Sequence, residues 1–181
     1  MLEPLRWLTL SKEHDIVMKT AFALAVLAVC TLPAGAGAQS AADPAKMVQM
    51  FSAPLKLDGA TMQVIILNDR TVEALFPQSP AKAALRTKGR MTTMFFIQGK
   101  TTKDLEFDPT LKVEQKGKTF DGKASSMKNF TAGKVPKGES IQGMVEMPEK
   151  VDLYEPFKVT LNGKTVEFRL NEDDVRDYGN R

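Results

Sequence analysis

The strongest constraint on the fold is Asn162-Gly163, which joins two segments whose residues alternate between apolar and polar. Asn-Gly between alternating segments favours a two-residue type I′ turn, because both central residues of that turn need positive φ. A turn of this length also fixes the register of the hairpin. The predicted cross-strand pairs are Thr160–Thr165, Val159–Val166, Lys158–Glu167 and Phe157–Phe168. We therefore expect an antiparallel hairpin with its aromatic and aliphatic pairs in the core and the Lys158–Glu167 pair in solvent.

Further short strands are predicted before this hairpin. Residues 104–108 and 111–115 alternate in the same way, residues 141–147 form a further predicted strand, and turn residues separate the three. Residues 62–67, which are rich in β-branched residues, and the largely apolar residues 91–98 predict two buried strands. Many short strands with frequent turns are typical of an antiparallel β-sandwich, so the predicted class is mainly β.

Helices are expected only near the start of the predicted domain. Asp43 can cap a short helix and Pro44 suits its first position. A second short helix is predicted over 79–86, ending at Gly89. We expect residues 39–56 to form an N-terminal arm with a short helix, and residues 57–181 to form the β-sandwich domain.

The motifs between residues 104 and 170 resemble those of immunoglobulin-like domains in secreted bacterial proteins of unassigned role. The motifs are Leu111–Gln115, Asn129-Phe130, Gly133–Glu139, Ile141–Gly143 and the terminal hairpin. The resemblance implies an immunoglobulin-like antiparallel β-sandwich with one or two short N-terminal helices. It implies no catalytic residue.

An apolar segment near the start of the chain predicts export. Residues 18–38 have a basic start, a short apolar run and small residues at the end, as in a secretory signal peptide cleaved between Ala38 and Gln39. The run is shorter than the roughly 20 residues that a membrane-spanning helix needs. We therefore expect no transmembrane anchor after cleavage and a periplasmic or extracellular location. A lipid anchor on Cys30 is the alternative, although Val29 stands where a small residue is usual.

Residues 1–17 do not fit the start of a signal peptide. They hold two basic and three acidic side chains, whereas a signal peptide needs a positive start. We expect translation to begin at Met18, so that residues 1–17 are a mis-annotated upstream extension. A long but genuine leader is the alternative.

The predicted mature chain lacks residue types on which much catalysis depends. His14, Cys30 and Trp7 are the single residues of their kinds, and all precede the predicted cleavage site. The mature chain would therefore have no imidazole for a Ser-His-Asp triad, no thiolate nucleophile and no Cys/His zinc ligands. We predict a non-enzymatic protein without a cofactor, which acts by binding or by contributing to an envelope assembly.

Basic residues are concentrated in the middle of the chain. Residues 82–137 hold 13 basic and 5 acidic side chains, whereas residues 138–181 hold 6 and 10. Such asymmetry can steer anionic partners, so we expect contacts with an anionic envelope component or another envelope protein. The candidate contact residues are Lys82, Arg86, Lys88, Arg90, Lys100 and Lys103. The alternative is that these side chains only solvate the surface. Aromatic residues spaced for base stacking are missing, so nucleic acid is not an expected partner.

Methionine pairs provide the first alternative function. Met-x-x-Met occurs at 47/50, 91/94 and 144/147, and thioethers are ligands for Cu(I). A periplasmic Cu(I) binder would use Met91, Met94, Met144 and Met147. Residues three apart on a strand point to opposite faces, and Met often fills cores, so core packing is the favoured interpretation.

Carboxylates provide the second alternative. Asp104, Glu106 and Asp108 would share one face of a strand, where they could hold Ca²⁺ or simply face solvent. A small carboxylate-dependent hydrolase is also compatible with the composition. The spacing singles out no acid–base pair, so no catalytic residue is predicted.

Overall fold

The computed structural model describes residues 43–179. The predicted extension (1–17), signal peptide (18–38) and cleavage site Ala38-Gln39 lie outside the described residues. The helices in the described part are α1 (Pro44–Met50), α2 (Asp69–Leu75), α3 (Lys82–Met91) and α4 (Glu172–Tyr178). The strands are β1 (Ser52–Leu57), β2 (Ala60–Leu67), β3 (Met94–Thr101), β4 (Leu105–Phe107), β5 (Leu111–Gln115), β6 (Lys118–Asp121), β7 (Lys123–Lys128), β8 (Gly133–Val135), β9 (Ser140–Glu146), β10 (Phe157–Leu161) and β11 (Lys164–Phe168).

The strands form antiparallel sheets, so the chain is mainly β, as the alternation predicts. The largest sheet has the order β1-β2-β3-β9-β7, and a second has the order β11-β10-β5-β6. β4 and β8 pair with each other in a small third sheet. All the ladders between these strands are antiparallel.

One apolar core draws side chains from both large sheets. Val64 and Phe95 come from the five-stranded sheet, and Val159 comes from the four-stranded sheet. The ring centroid of Phe95 lies 6.3 Å from those of Phe157 and Phe168. Because a buried side chain of this size contributes about 1.5–3 kcal/mol, this core is the main source of cohesion between the two sheets.

A second apolar cluster lies on the opposite face of the five-stranded sheet. Ile65 and Phe96 project from the sheet, while Val72 of α2 and Leu85 of α3 pack against them. Phe76 meets Phe96 edge to face, with ring centroids 5.3 Å apart. The helices therefore cover one end of this outer face, and their contacts stop before its other end.

The predicted hairpin register is confirmed in all four pairs. Asn162 has φ 50° and Gly163 has φ 71°, as a type I′ turn requires. Phe157, Val159 and Phe168 are buried and Val166 is half-buried, whereas Lys158 and Glu167 are exposed. The carboxylate of Glu167 makes its ion pair with Arg169, at 2.7 Å, rather than across the strands with Lys158.

The expectation of one or two short N-terminal helices is wrong, since the described residues include four helices. Asn68-Asp69 follows the predicted strand 62–67 and is a common turn sequence, but Asn68 caps α2 instead. Its Oδ1 accepts hydrogen bonds from the amides of Arg70 and Thr71, and Thr71 Oγ1 accepts one from the Asn68 amide. Asn171 caps α4 in a similar way, by accepting from the amide of Asp173 at 2.8 Å. Asn serves turns and helix starts equally well, which explains the error.

The segment 39–56, expected as an arm, contributes both a helix and a strand. α1 begins as predicted, with Asp43 Oδ1 accepting from the Ala45 amide at 3.0 Å and Pro44 in the first helical position. Most of β1 follows within the same segment and forms the edge of the large sheet. Pro54 is tolerated there because an edge strand can lack one backbone donor.

The second predicted helix is longer than expected. α3 continues through the buried Gly89 to Met91, so Gly89 does not end it. The following strand, expected from residue 91, consequently begins at Met94. An interior glycine weakens a helix without terminating it, and tertiary packing of α3 outweighs that cost.

Candidate functional site

Most of the predicted basic contact residues are engaged within the fold. Four of the six form ion pairs: Lys82 with Glu73, Lys88 with Glu146, and both Arg86 and Arg90 with Asp69. These acids lie on α2 and β9, outside the basic stretch of sequence. Folding therefore neutralises much of the charge that the sequence concentrates on α3.

Asp69 is the centre of this network. Partial burial alone would raise the pKa of Asp69, but hydrogen bonds from Arg90 and Arg86, together with their charges, outweigh burial and lower it. The carboxylate also lies in the first turn of α2, where the helix dipole favours negative charge. The arginines of α3 thus fasten that helix to α2, which is a structural role.

A different surface remains open to solvent on the same side of the five-stranded sheet. Beyond the end that the helices cover, the outward side chains become polar. We call this surface the glutamine–lysine face. It consists of Pro54, Lys56, Thr61, Gln63, Gln98, Lys100, Lys128, Ser140 and Gln142, all of them exposed or half-buried.

Strand register arranges this face in two rows. The first row crosses all five strands, in the order Pro54, Gln63, Gln98, Gln142 and Lys128. The second crosses four strands, in the order Lys56, Thr61, Lys100 and Ser140. Neighbouring strands lie about 4.8 Å apart, so the first row is about 19 Å wide, and the rows are about 7 Å apart along the strands.

Hydrogen bonds orient part of the first row. Gln98 Nε2 donates to Gln63 Oε1 at 3.2 Å, and Gln63 Nε2 donates to Ser52 Oγ at 3.0 Å. Ser52 Oγ in turn donates to the carbonyl of Gln49 at the end of α1, at 3.4 Å. These hydrogen bonds leave the carbonyl oxygen of Gln98 as an acceptor on the face, because its amide nitrogen is the group that donates to Gln63.

The charge of the face is entirely positive. Its nine residues include three lysines and no acid. Two acids lie close to it in sequence: Asp58 pairs with Lys164 of the hairpin at 3.1 Å, and Glu139 accepts a hydrogen bond from Asn129 Nδ2 at 3.4 Å. Lys103, the remaining predicted contact residue, follows β3 and lies beside Gly59 at the margin of the face. Two of the six predicted residues, Lys100 and Lys103, thus belong to this region.

The methionine pairs are separated by the fold. Met144 packs in the outer cluster, whereas Met147 is buried in the core between the two large sheets. The two therefore lie on opposite faces, as their spacing on a strand predicts. Met94 is buried in the outer cluster, but Met91 at the end of α3 is 73% exposed.

The two acidic residues that flank β4, Asp104 and Asp108, have separate partners. Asp104 Oδ2 pairs with Lys134 at 2.9 Å, and its Oδ1 accepts from the Lys137 amide at 3.0 Å. The hydrogen bond from Lys134, followed by that amide, lowers the pKa of Asp104. Asp108 accepts from the Thr110 amide at 2.9 Å. Across residues 43–179, no three acid, His or Cys side chains come together as a metal site would require.

The sequence alone did not single out the glutamines of the face. Each is an uncharged polar residue close to the buried apolar residues of its strand, and that interruption is the signal that could have drawn attention to them. Strand register, which brings them into one row, cannot be obtained from any one of the three strands.

Comparison with known proteins identifies no relative. No protein-family model, curated protein or solved structure matches the chain. Among the helices within residues 43–179, none has the length and apolar character needed to cross a membrane. Function must therefore be inferred from the surface chemistry itself.

Proposed function

We propose that this chain is an exported, non-enzymatic binding domain whose glutamine–lysine face holds an anionic polymer of the cell envelope. The observation that carries the proposal is the charge of that face, which has three lysines and no acid among nine residues. The signal-peptide pattern of residues 18–38 supports export.

The fold proposed for this domain is an immunoglobulin-like β-sandwich. Two antiparallel sheets that share one core support it, as does the resemblance of residues 104–170. In such a domain a broad, exposed sheet face is a natural place for binding an extended partner. The polar rows of the large sheet are wide enough to be contacted at several points along a polymer.

The chemistry of the face suits a polyanion rather than a compact ligand. Lys56, Lys100 and Lys128 are exposed and spread over the two rows. Contacts between exposed charges are individually weak, so useful affinity requires several of them at once. Because screening acts over about 8 Å at physiological salt, binding should weaken as salt is raised.

The direct test compares two triple variants by isothermal titration with polygalacturonate and with inorganic polyphosphate. The first replaces Lys56, Lys100 and Lys128 with Gln. The matched control carries Lys112→Gln, Lys118→Gln and Lys158→Gln, which changes the net charge equally on the four-stranded sheet. We expect the first variant to bind roughly tenfold more weakly, and the control to bind almost as well as the parent protein.

Two results would contradict the proposal. The first is failure of the parent protein to bind either polyanion at low salt. The second is an equal loss of affinity in both triple variants, because attraction would then depend on net charge and not on this face.

A further inference from the structure

The centre of the glutamine–lysine face is made of neutral amides rather than charges. Gln63, Gln98 and Gln142 occupy adjacent positions across β2, β3 and β9. If the face bound only charge, cations would serve better at these three positions. The amides therefore indicate that the ligand has hydrogen-bonding groups in addition to its negative charge.

A glutamine amide has both a hydrogen-bond donor and an acceptor. The acceptor of Gln98 is the group that distinguishes between possible ligands. Gln98 donates through its nitrogen to Gln63, so its carbonyl oxygen is directed to other partners. An exposed acceptor needs a ligand with hydrogen-bond donors. Sugar hydroxyls both donate and accept, and they match this requirement.

A polyphosphate chain matches the face less well. Its bridging and terminal oxygens are all acceptors, so they can accept from the glutamine N–H groups but leave the carbonyl oxygen of Gln98 without a donor. The face also lacks arginine, whose planar guanidinium is suited to bidentate phosphate contacts. Lysines bind carboxylates as simple point charges and need no such geometry.

Neutral polysaccharides are a poorer match as well. The nine residues of the face include no aromatic ring on which a sugar could stack. Without stacking, the amides alone would have to provide the affinity, and each neutral hydrogen bond contributes little against water. Binding must therefore also involve the charges of Lys56, Lys100 and Lys128, which a neutral polysaccharide does not use.

We infer that the ligand is an acidic polysaccharide built from uronic acid units, an inference that rests on the proposed function. Its carboxylates meet the lysines, and its hydroxyls meet the amides of Gln63, Gln98 and Gln142. The polymer lies across the strands, along the first row, because that direction presents one amide per strand at about 4.8 Å.

The test measures the affinity of the purified protein for polygalacturonate, inorganic polyphosphate and neutral dextran. We expect polygalacturonate to bind most tightly and dextran to show no binding. A double variant, Gln98→Leu with Gln142→Leu, should bind polygalacturonate roughly tenfold more weakly, the effect of losing two neutral hydrogen bonds. Its affinity for polyphosphate should not fall. Gln78→Leu, in the loop before α3, is the matched control and should change neither.

The outcomes separate this inference from the proposed function. Equal affinity of the parent protein for polyphosphate and polygalacturonate would overturn the inference and leave the proposed function standing. A double variant that loses affinity for both polymers alike would do the same. Failure of both polyanions to bind would overturn the proposed function itself. The comparison of the three polymers on the parent protein requires no variant, so it holds even if the double variant folds poorly.

Discussion

The contact between Phe130 and Gly143 provides a sharp test of the packing at the β9 end of the core. Phe130 is only 1% exposed and meets Phe107 edge to face, with ring centroids 5.3 Å apart. A Cβ on Gly143 would lie 2.8 Å from Phe130 Cβ and closer still to two atoms of its ring. Since the ring is held on both sides, an added methyl group forces it to move.

The size of this effect can be worked out from the packing. Overpacking of a buried site costs about 1–3 kcal/mol, so Gly143→Ala should lower the free energy of unfolding by about 2 kcal/mol. Phe130→Leu leaves a smaller side chain at the same place and should cost about 1.5 kcal/mol. In the double variant the methyl group occupies space that the ring has left. Its cost should therefore be about 1 kcal/mol less than the sum of the single costs.

Urea unfolding, followed by far-ultraviolet circular dichroism, measures these free energies. Phe168→Leu combined with Gly143→Ala is the control, because the three atoms nearest to the added Cβ all belong to Phe130 and none to Phe168. Its two effects should add. If the Phe130 and Gly143 changes also add, the two side chains do not compete for space and the packing described for β9 is incorrect.

Three further predictions concern stability. The pKa of Asp69 is lowered from its ordinary 3.8, so its ion pairs stabilise the fold above that pH, and this contribution is lost as the pH falls through the lowered pKa. Asp69→Asn should therefore melt a few degrees lower than the parent protein at neutral pH and converge with it in acid, as thermal melts across pH will show. Gly163→Ala should cost about 1 kcal/mol in urea unfolding, because φ is 71° there and no atom crowds the site. Gly122→Ala should lower the melting temperature because its Cβ would collide with Val145 Cγ1, and its loss combined with that of Val145→Ala should be smaller than the sum of the two single losses.

Local signals in the sequence were sufficient for the hairpin and for α1. Asn162-Gly163 determines its turn through backbone conformation alone, and the register follows from the length of the turn. Asp43 and Pro44 similarly define a helix start without help from distant residues. Asn68 shows the limit of such reasoning, because its side chain can cap a helix or complete a turn and only packing against the sheet decides.

The candidate site depends on long-range pairing and could not be predicted. Gln63, Gln98 and Gln142 meet because β2, β3 and β9 are neighbours in the sheet, although they are far apart in the sequence. The same limitation affected the basic stretch. The distribution of charge along the chain does not reveal that Asp69, Glu73 and Glu146 pair with α3 and neutralise much of its charge.

Chemical-shift mapping tests the central claim most directly. Backbone amide signals of the isotope-labelled protein would be followed while polygalacturonate is added at low salt. We predict that the largest changes fall on β2, β3 and β9 at and around Gln63, Gln98 and Gln142, and that added salt reverses them. Changes concentrated on α3 or on the four-stranded sheet, with the glutamine–lysine face unaffected, would contradict the account.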